Sequence, residues 1–491
     1  MSVVLAIDAG TSSVRTLAVN QNGEILASSQ KKFRQYFPSP GLVEHDAEEI
    51  WRAASLTLSD VSKKIYKLGL EVSAIGITNQ RETSVAWDAK TGKPIQKAIV
   101  WQDRRTSDRC KELEEGGYLD LIRSTTGLVL DPYFSASKFE WMIKHGSIKP
   151  DKNLRFGTID SWLIWRLTGG RVHATDPSNA SRTMLFDLNS GKWSESLIEL
   201  FSIPKSSLPE VRSTSGDFGE TTIEGPLGKN IPIRSAVGDQ QSSLFGQLCF
   251  NEGDTKNTYG TGSFILSNIG ENITSPKNGL LTTVAWQLNS TSPLIYALEG
   301  SIFSTGSTIQ WLCDQLGIID DPKEISFLAE SVIDSGGVVM VPAFTGLGSP
   351  WWNPKSKGML AGLTRGTGKA EIARAAVESM AFQTRDVIEA MKMCTSHTPK
   401  ALKVDGGAAV INLLMQIQAD QLQIPIIRSK NSESTAMGAA YLAGLGVGLW
   451  SSLEELKALW QTGETFNPQV KVKESDSAYK KWLSALGMVN K

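Results

Sequence analysis

At 491 residues the chain is longer than one hydrophobic core sustains, so two large domains are expected. Hydrophobic residues at 41% and charged residues at 21% exclude a disordered chain, and 50 Lys plus Arg against 51 Asp plus Glu leave a formal charge of −1, with no overall field for nucleic acid or an anionic membrane. Four dispersed cysteines, Cys110, Cys249, Cys313 and Cys394, form no CxxC pair, which speaks against a zinc cage or disulfide scaffold and fits a reducing, cytoplasmic setting.

The apolar run at residues 3–7 meets Asp8 with no basic segment before it, too short for a signal sequence and suited to a buried strand. Asp8 to Ser13 reads as a polar turn, and Val14 to Val19 and Glu24 to Ser28 continue a β-meander around the Asn22-Gly23 hairpin signal. Asp46 and Glu49 resemble a capping box. It opens a helix of about six turns in which Ile50, Ala54, Leu58, Val61, Ile65 and Leu68 share a face. Further apolar strands at 74–78, 98–100 and 231–237 run into Arg81-Glu82, Trp101-Gln102 and Gly238-Asp239. Strand-like segments at 255–259 and 264–269 flank Gly260-Thr261-Gly262-Ser263, an echo of Gly10-Thr11-Ser12-Ser13, and the domain boundary is set near residue 247. A strand at 402–405, the pair Gly406-Gly407 and an apolar helix over 408–417 follow. The uncharged stretch 434–450, with four glycines, suits a tightly packed core helix better than a membrane span. The alternation is that of a mixed α/β protein.

The turn after Asp8 sets backbone N–H groups and three hydroxyls close to Arg15, a donor set for an anion, and Asp8 can hold the Mg²⁺ that a triphosphate requires. An ordinary hairpin turn is the competing reading. The second turn supplies donors from the other half, so that two hairpins can grip one polyphosphate; no GxxxxGK[ST] is present, which disfavours a P-loop. Gly406-Gly407 offers bare backbone to a nucleoside, or is a plain connection. Arg81-Glu82 can bind vicinal hydroxyls or form a solvated pair, and Asp239 can accept a hydroxyl proton or cap a helix starting near Ser242. Trp101 is an apolar wall or core. His45, His145, His173 and His397 fall in no HExxH motif or triad pattern, which removes metalloprotease and triad-hydrolase readings.

With these features in this order the chain resembles the FGGY carbohydrate kinase family nearly end to end. The resemblance is carried by residues 76–83 (GITNQRET), 98–102 (AIVWQ), 131–135 (DPYFS) and 179–186 (NASRTMLF). Two family signature stretches add to it, from Tyr133 through Lys138 and Trp141 to His145, and from Gly358 through Gly362 and Glu371 to Glu378. The resemblance implies two RNase H-like domains of the actin and Hsp70 superfamily, residues 1–247 and 248–491, with an interdomain cleft where ATP phosphorylates glycerol to sn-glycerol 3-phosphate. It implies glycerol contacts from Arg81, Glu82, Tyr133 and Asp239, with Gln240 beside them, Trp101 and Phe264 against the carbons, and Asp239 as general base. Nucleotide contacts are implied for Thr11, Ser12, Ser13, Arg15, Thr261, Gly306, Gln310 and Gly407, and Mg²⁺ for Asp8. No nucleic acid or membrane partner is implied; by analogy, a homodimer or homotetramer is. A kinase for a pentulose or another polyol would differ around Arg81-Glu82 and Tyr133, and a nucleotide-driven clamp would lack the polyol set and the base.

Three departures from the family pattern stand out. Ile411 occupies the usual adenine-site Asn position with Asn412 next, so either the contact is lost or the helix start is slipped, and weaker base selectivity is expected. The 223–230 loop lacks the arginine associated with inhibition by fructose 1,6-bisphosphate, and the 213–219 loop lacks a histidine for phosphorylation by a sugar-transport phosphocarrier, so neither control is expected.

Overall fold

The first apolar run becomes β1 (Ser2–Ala9), paired antiparallel with β2 (Ser13–Asn20), and β3 (Ile25–Lys32) completes the meander after Gly23 at φ +75°. The structure, a computed structural model, is described for residues 2–146, 148–274, 279–395 and 398–490; His397 lies outside them. Helix α1 (Ala47–Lys67) follows, with Ile50, Ala54, Leu58, Val61 and Ile65 fully buried. Asp46 caps it by accepting from Glu48 N at 2.9 Å, but the reciprocal half of the expected capping box does not form. Glu49 instead accepts from Arg34 N (3.0 Å) and Tyr36 Oη (2.8 Å), which gives it stronger partners than its own helix end. Strands β4 (Glu71–Asn79) and β5 (Ile233–Gly238) then add in parallel, giving the order β5-β4-β1-β2-β3.

The second half builds β6 (Thr255–Tyr259), β7 (Ser263–Gly270), β8 (Leu281–Trp286), β9 (Ile295–Ile302), β10 (Leu402–Asp405), β11 (Ile426–Ser429) and β12 (Thr462–Phe466), in the order β8-β9-β7-β6-β10-β11-β12. Without the outer strands β8 and β12, the remaining β9-β7-β6-β10-β11 repeats the first sheet. Each has an antiparallel meander of three strands followed by two parallel strands beside its first member. The four-residue echo therefore sits at equivalent places in a repeated topology, the β1–β2 and β6–β7 hairpins.

Helices α2 (Asp239–Gly246), α3 (Gly306–Asp314), α4 (Lys369–Cys394), α5 (Asn412–Leu422) and α6 (Ser434–Gly446) complete the elements that position the site. The expected helix over 408–417 starts late, because Gly407–Val410 forms a 3₁₀ turn and Ile411 is the N-cap of α5. Helix α6, from the second half, packs on β1, β4 and β5 of the first sheet and on α2. That approach needs bare backbone: a Cβ on Gly76 would lie 2.2 Å from Ala439 O, and one on Gly438 would lie 1.9 Å from Ser242 O. Among the described residues no helix is long and apolar enough to cross a membrane.

Candidate active site

Beyond β4 the chain turns sharply, and Glu82 adopts φ +60°, the left-handed region that a side chain enters only when its surroundings hold it there. The hold is visible. Its carboxylate accepts from Arg182 Nε at 2.6 Å, and its carbonyl accepts from Ser84 Oγ (3.1 Å) and Ser135 Oγ (3.0 Å). Arg81 and Glu82 are almost fully buried, so the solvated-pair reading is wrong for them.

Asp239 is the first residue of α2, whose N-cap is Gly238; its Oδ1 accepts from Gln240 N at 2.7 Å and caps no helix at Ser242. The carboxylate lies 3.3 Å from Arg81 Nε and its side chain remains 26% exposed, toward the cleft. Burial raises its pKa above the ordinary carboxylate range, while Arg81 and Lys256 oppose that rise. Gln240 is held by Lys256, whose buried Nζ donates to Gln240 Oε1 (2.6 Å) and Thr258 Oγ1 (2.9 Å); burial lowers Lys256 to about 8 against the pull of Asp405 and Asp239. Lys138, also buried, donates from Nζ to the carbonyls of Tyr133 (2.5 Å) and Phe134 (3.0 Å) and so pins the segment that presents Tyr133.

The groups they hold border a cavity of about 670 Å³. Arg81, Glu82, Tyr133, Asp239 and Gln240 supply its polar wall; Trp101 and Phe264 supply an apolar one, with the Trp101 ring set edgewise to Tyr133 (5.6 Å) and to Phe264 (6.5 Å). Thr11 from the first turn and Thr261 from the second reach the same cavity from opposite halves. The first turn is shorter than expected, Gly10–Ser12, since Asp8 and Ala9 belong to β1. Burial and the neighbouring Asp239 carboxylate push Asp8 up to about 7, although Arg15, its cross-strand partner, opposes them.

The remaining expected nucleotide residues lie outside that cavity wall. Ser12 is exposed; Ser13 Oγ accepts from Gln30 (2.8 Å). Arg15 pairs with Glu433 at the start of α6 and donates to Gln30 Oε1 (3.0 Å). Gly306 N donates to Gly260 O at 3.0 Å, so α3 starts directly on the second turn, with Gln310 one turn further along it. Gly406, at φ +90°, lies against Tyr259 at the end of β6, and no atom lies within 4 Å of a Cβ placed on Gly407. The second turn, the α3 N-terminus and the Gly406-Gly407 turn thus lie together at the C-terminal ends of β6 and β10 in the second sheet.

Sequence reasoning missed Arg182, Lys256 and Glu299, the last accepting from Arg81 Nη1 (2.5 Å) and Nη2 (3.0 Å), as residues that hold this site together. Arg182 was visible inside 179–186, and Lys256 stands one strand-length before Gly260; Glu299 was detectable only as a carboxylate inside an otherwise uncharged buried strand.

Residues 3–246 match the N-terminal domain, and residues 255–447 the C-terminal domain, of the FGGY family of carbohydrate kinases. The chain belongs to this family. It is 52% identical to a glycerol kinase of Saccharolobus islandicus (strain M.16.27) over 488 residues, 98% of this chain and 96% of the relative. It is 49% identical to a glycerol kinase of Bacillus licheniformis over 490 residues, 98% of each. Among solved structures it is similar to Plasmodium falciparum glycerol kinase with ADP, at TM-score 0.92 and 36% identity, covering 100% of this chain and 98% of that one. A ligand-bound xylulose kinase from Lactobacillus acidophilus has TM-score 0.89 at 21% identity, covering 100% and 98%, and shares the fold. The FGGY fold, two actin/Hsp70-like domains, agrees with the architecture expected from the sequence.

Proposed function

We propose that this FGGY kinase transfers the γ-phosphoryl group of ATP to glycerol, giving ADP and sn-glycerol 3-phosphate. The observation that carries the reading is the convergence of Arg81, Glu82, Tyr133 and Asp239 on one cavity that both turns also reach. The glycerol kinases similar to it at about half identity over nearly the whole chain support the choice of polyol.

In this reading the polar wall binds the three hydroxyls, and Trp101 and Phe264 pack on the carbon chain. Asp239 orients the hydroxyl that attacks and accepts its proton as the new P–O bond forms and the bond to the β,γ-bridging oxygen breaks. Thr11, Ser12 and Ser13, with Arg15, hold phosphate oxygens from one side; Thr261, Gly306 and Gln310 approach from the other, and Gly407 leaves room for the nucleoside. Phosphoryl transfer needs little covalent help from protein, so holding the reactants in line accounts for most of the catalysis. Asp8 fits a divalent cation: burial and the nearby Asp239 carboxylate push it up to about 7, a strain that a cation beside it would relieve, and Mg²⁺ commonly takes one or two carboxylates together with substrate phosphates. Mg²⁺ bound there neutralises charge on the phosphates.

A coupled assay of ADP release with glycerol, with xylulose and with no polyol tests the reading. Glycerol-dependent release is expected. Faster release with xylulose would transfer the assignment to a ketose kinase, and a rate indifferent to added polyol would favour a nucleotide-driven clamp.

A further inference from the structure

The Arg81 guanidinium has five N–H donors, and each faces an oxygen of the protein. Nη1 donates to Glu299 Oε2 (2.5 Å) and Gln241 Oε1 (3.2 Å), Nη2 to Glu299 Oε1 (3.0 Å) and Tyr133 Oη (3.4 Å), and Nε faces Asp239 Oδ1 at 3.3 Å. The two short contacts both go to Glu299, in the forked geometry that fixes a guanidinium's plane as well as its position. The longer contacts, to Tyr133 and Asp239, are those that border the cavity and that a hydroxyl can replace. Glu299 also lies 3.1 Å from Arg182 Nη2, and Arg182 in turn holds Glu82 and lies over the Tyr133 ring, its Cζ 5.4 Å from the centroid. Arg81 directly, and Glu82 and Tyr133 through Arg182, are therefore tied to one carboxylate.

That carboxylate comes from the opposite half. Glu299 is on β9 of the second sheet and is fully buried, whereas Arg81 follows β4 of the first and Arg182 lies in the first half. Burial alone would raise its pKa, yet Arg182 and Arg81 bring it down to about 2, so it is ionised whenever the protein is folded near neutrality. Two arginines face the carboxylates of Glu82, Glu299 and Asp239; neutralising Glu299 takes from Arg81 its closest charged partner and leaves Asp239, at 3.3 Å, as the longer one.

We propose that Glu299 is the positioning residue of the polyol site: it aligns Arg81 and Arg182 across the domain interface, so that the glycerol-binding surface is complete only when the two halves meet. The inference rests on the kinase reading above and adds to it a residue of the second half that orders the polyol groups of the first.

The test is steady-state kinetics on the full chain, wild type against Glu299→Gln and Glu299→Asp, with glycerol and ATP varied separately and hydrogen exchange read on the proteins without substrate. Glu299→Gln should raise the glycerol KM roughly 10-fold or more and move the ATP KM by less than about 2-fold, the consequence of losing a charged acceptor behind one substrate only. Glu299→Asp keeps the charge and should recover part of that loss, which a purely packing role would not predict. An unchanged glycerol KM, or equal rises for both substrates, overturns the proposal. Should Glu299→Gln not fold, Ser301→Ala removes the hydroxyl that donates to Glu299 Oε1 at 3.2 Å. It should raise the glycerol KM roughly 2–5-fold, and no change there overturns the proposal equally. Faster exchange at residues 80–83 in Glu299→Gln supports the positioning role even if the wild type ignores glycerol, a result that would sink only the functional reading.

Discussion

The indole Nε1 of Trp101 donates to Thr11 Oγ1 at 3.1 Å, so one side chain lines the cavity and also holds the first turn. In the kinase reading proposed above, glycerol and phosphate are thereby registered to the same ring. Trp101→Phe keeps an aromatic wall and loses the hydrogen bond, worth about 0.5–1.5 kcal/mol. We expect kcat to fall roughly 3–10-fold with a smaller change in the glycerol KM. A kcat equal to wild type would show that the turn needs no such support.

The start of α3 on the second turn leaves no room for a side chain. A Cβ at Gly306 would lie 2.6 Å from Gly260 O, which is backbone and cannot swing away. Gly306→Ala should push the helix N-terminus off the turn at a cost of about 1–3 kcal/mol, read as an ATP KM raised several-fold with the glycerol KM little changed. Isothermal titration with ADP checks it independently, and wild-type affinity would remove this contact from nucleotide binding.

Position 411 is settled in one respect by its surroundings: Ile411 is 4% exposed, within the second-half core, while Asn412 Oδ1 accepts from Arg428 Nη1 at 2.9 Å. Ile411→Asn should lower unfolding free energy by about 1–3 kcal/mol, because the amide enters an apolar site with unmet hydrogen bonds, measurable by urea denaturation. If residue 411 also sets base preference, the ATP-to-GTP affinity ratio rises in the same variant; an unchanged ratio removes it from that role.

Two histidines, His45 fully buried and His173 half-buried, contribute to the loss of stability in acid. Burial lowers both His45 and His173 to about 4. His45 Nδ1 accepts from Gln80 Nε2 (3.3 Å), and that amide also donates to Gly10 O (3.1 Å); His173 Nε2 donates to Phe156 O (2.8 Å). Their folded pKa values lie below the ordinary histidine value near 6.5, so the unfolded chain binds the extra protons first. Their stabilisation is complete above about pH 6.5 and is lost as pH falls toward 4, on the order of 3 kcal/mol per histidine. Urea midpoints measured from pH 7 to 4.5 should fall, and less steeply in His173→Gln; a midpoint independent of pH across that window contradicts the assignment.

Much of this architecture was legible because its signals are local. The hairpin glycines, the apolar face of α1 and the turns at Gly10, Gly260 and Gly406 depend on residues close in sequence, and each element formed near where those residues point. The ends of strands 71–79 and 233–238 likewise announced Arg81 and Asp239. What the sequence hid depends on tertiary pairing. Glu49 left its helix for Arg34 and Tyr36, the 408–417 helix yielded its first turn to a 3₁₀ segment, and Glu299 gained its importance only by meeting Arg81 and Arg182, which lie more than a hundred residues away.

The central claim places a proton-accepting carboxylate between the two turns, and the most direct test is Asp239→Asn assayed for glycerol phosphorylation alongside nucleotide affinity. The substitution keeps size and removes the base, so turnover should drop by roughly 10²–10⁴-fold while ADP binds with nearly wild-type affinity. Wild-type turnover in that variant would contradict the account.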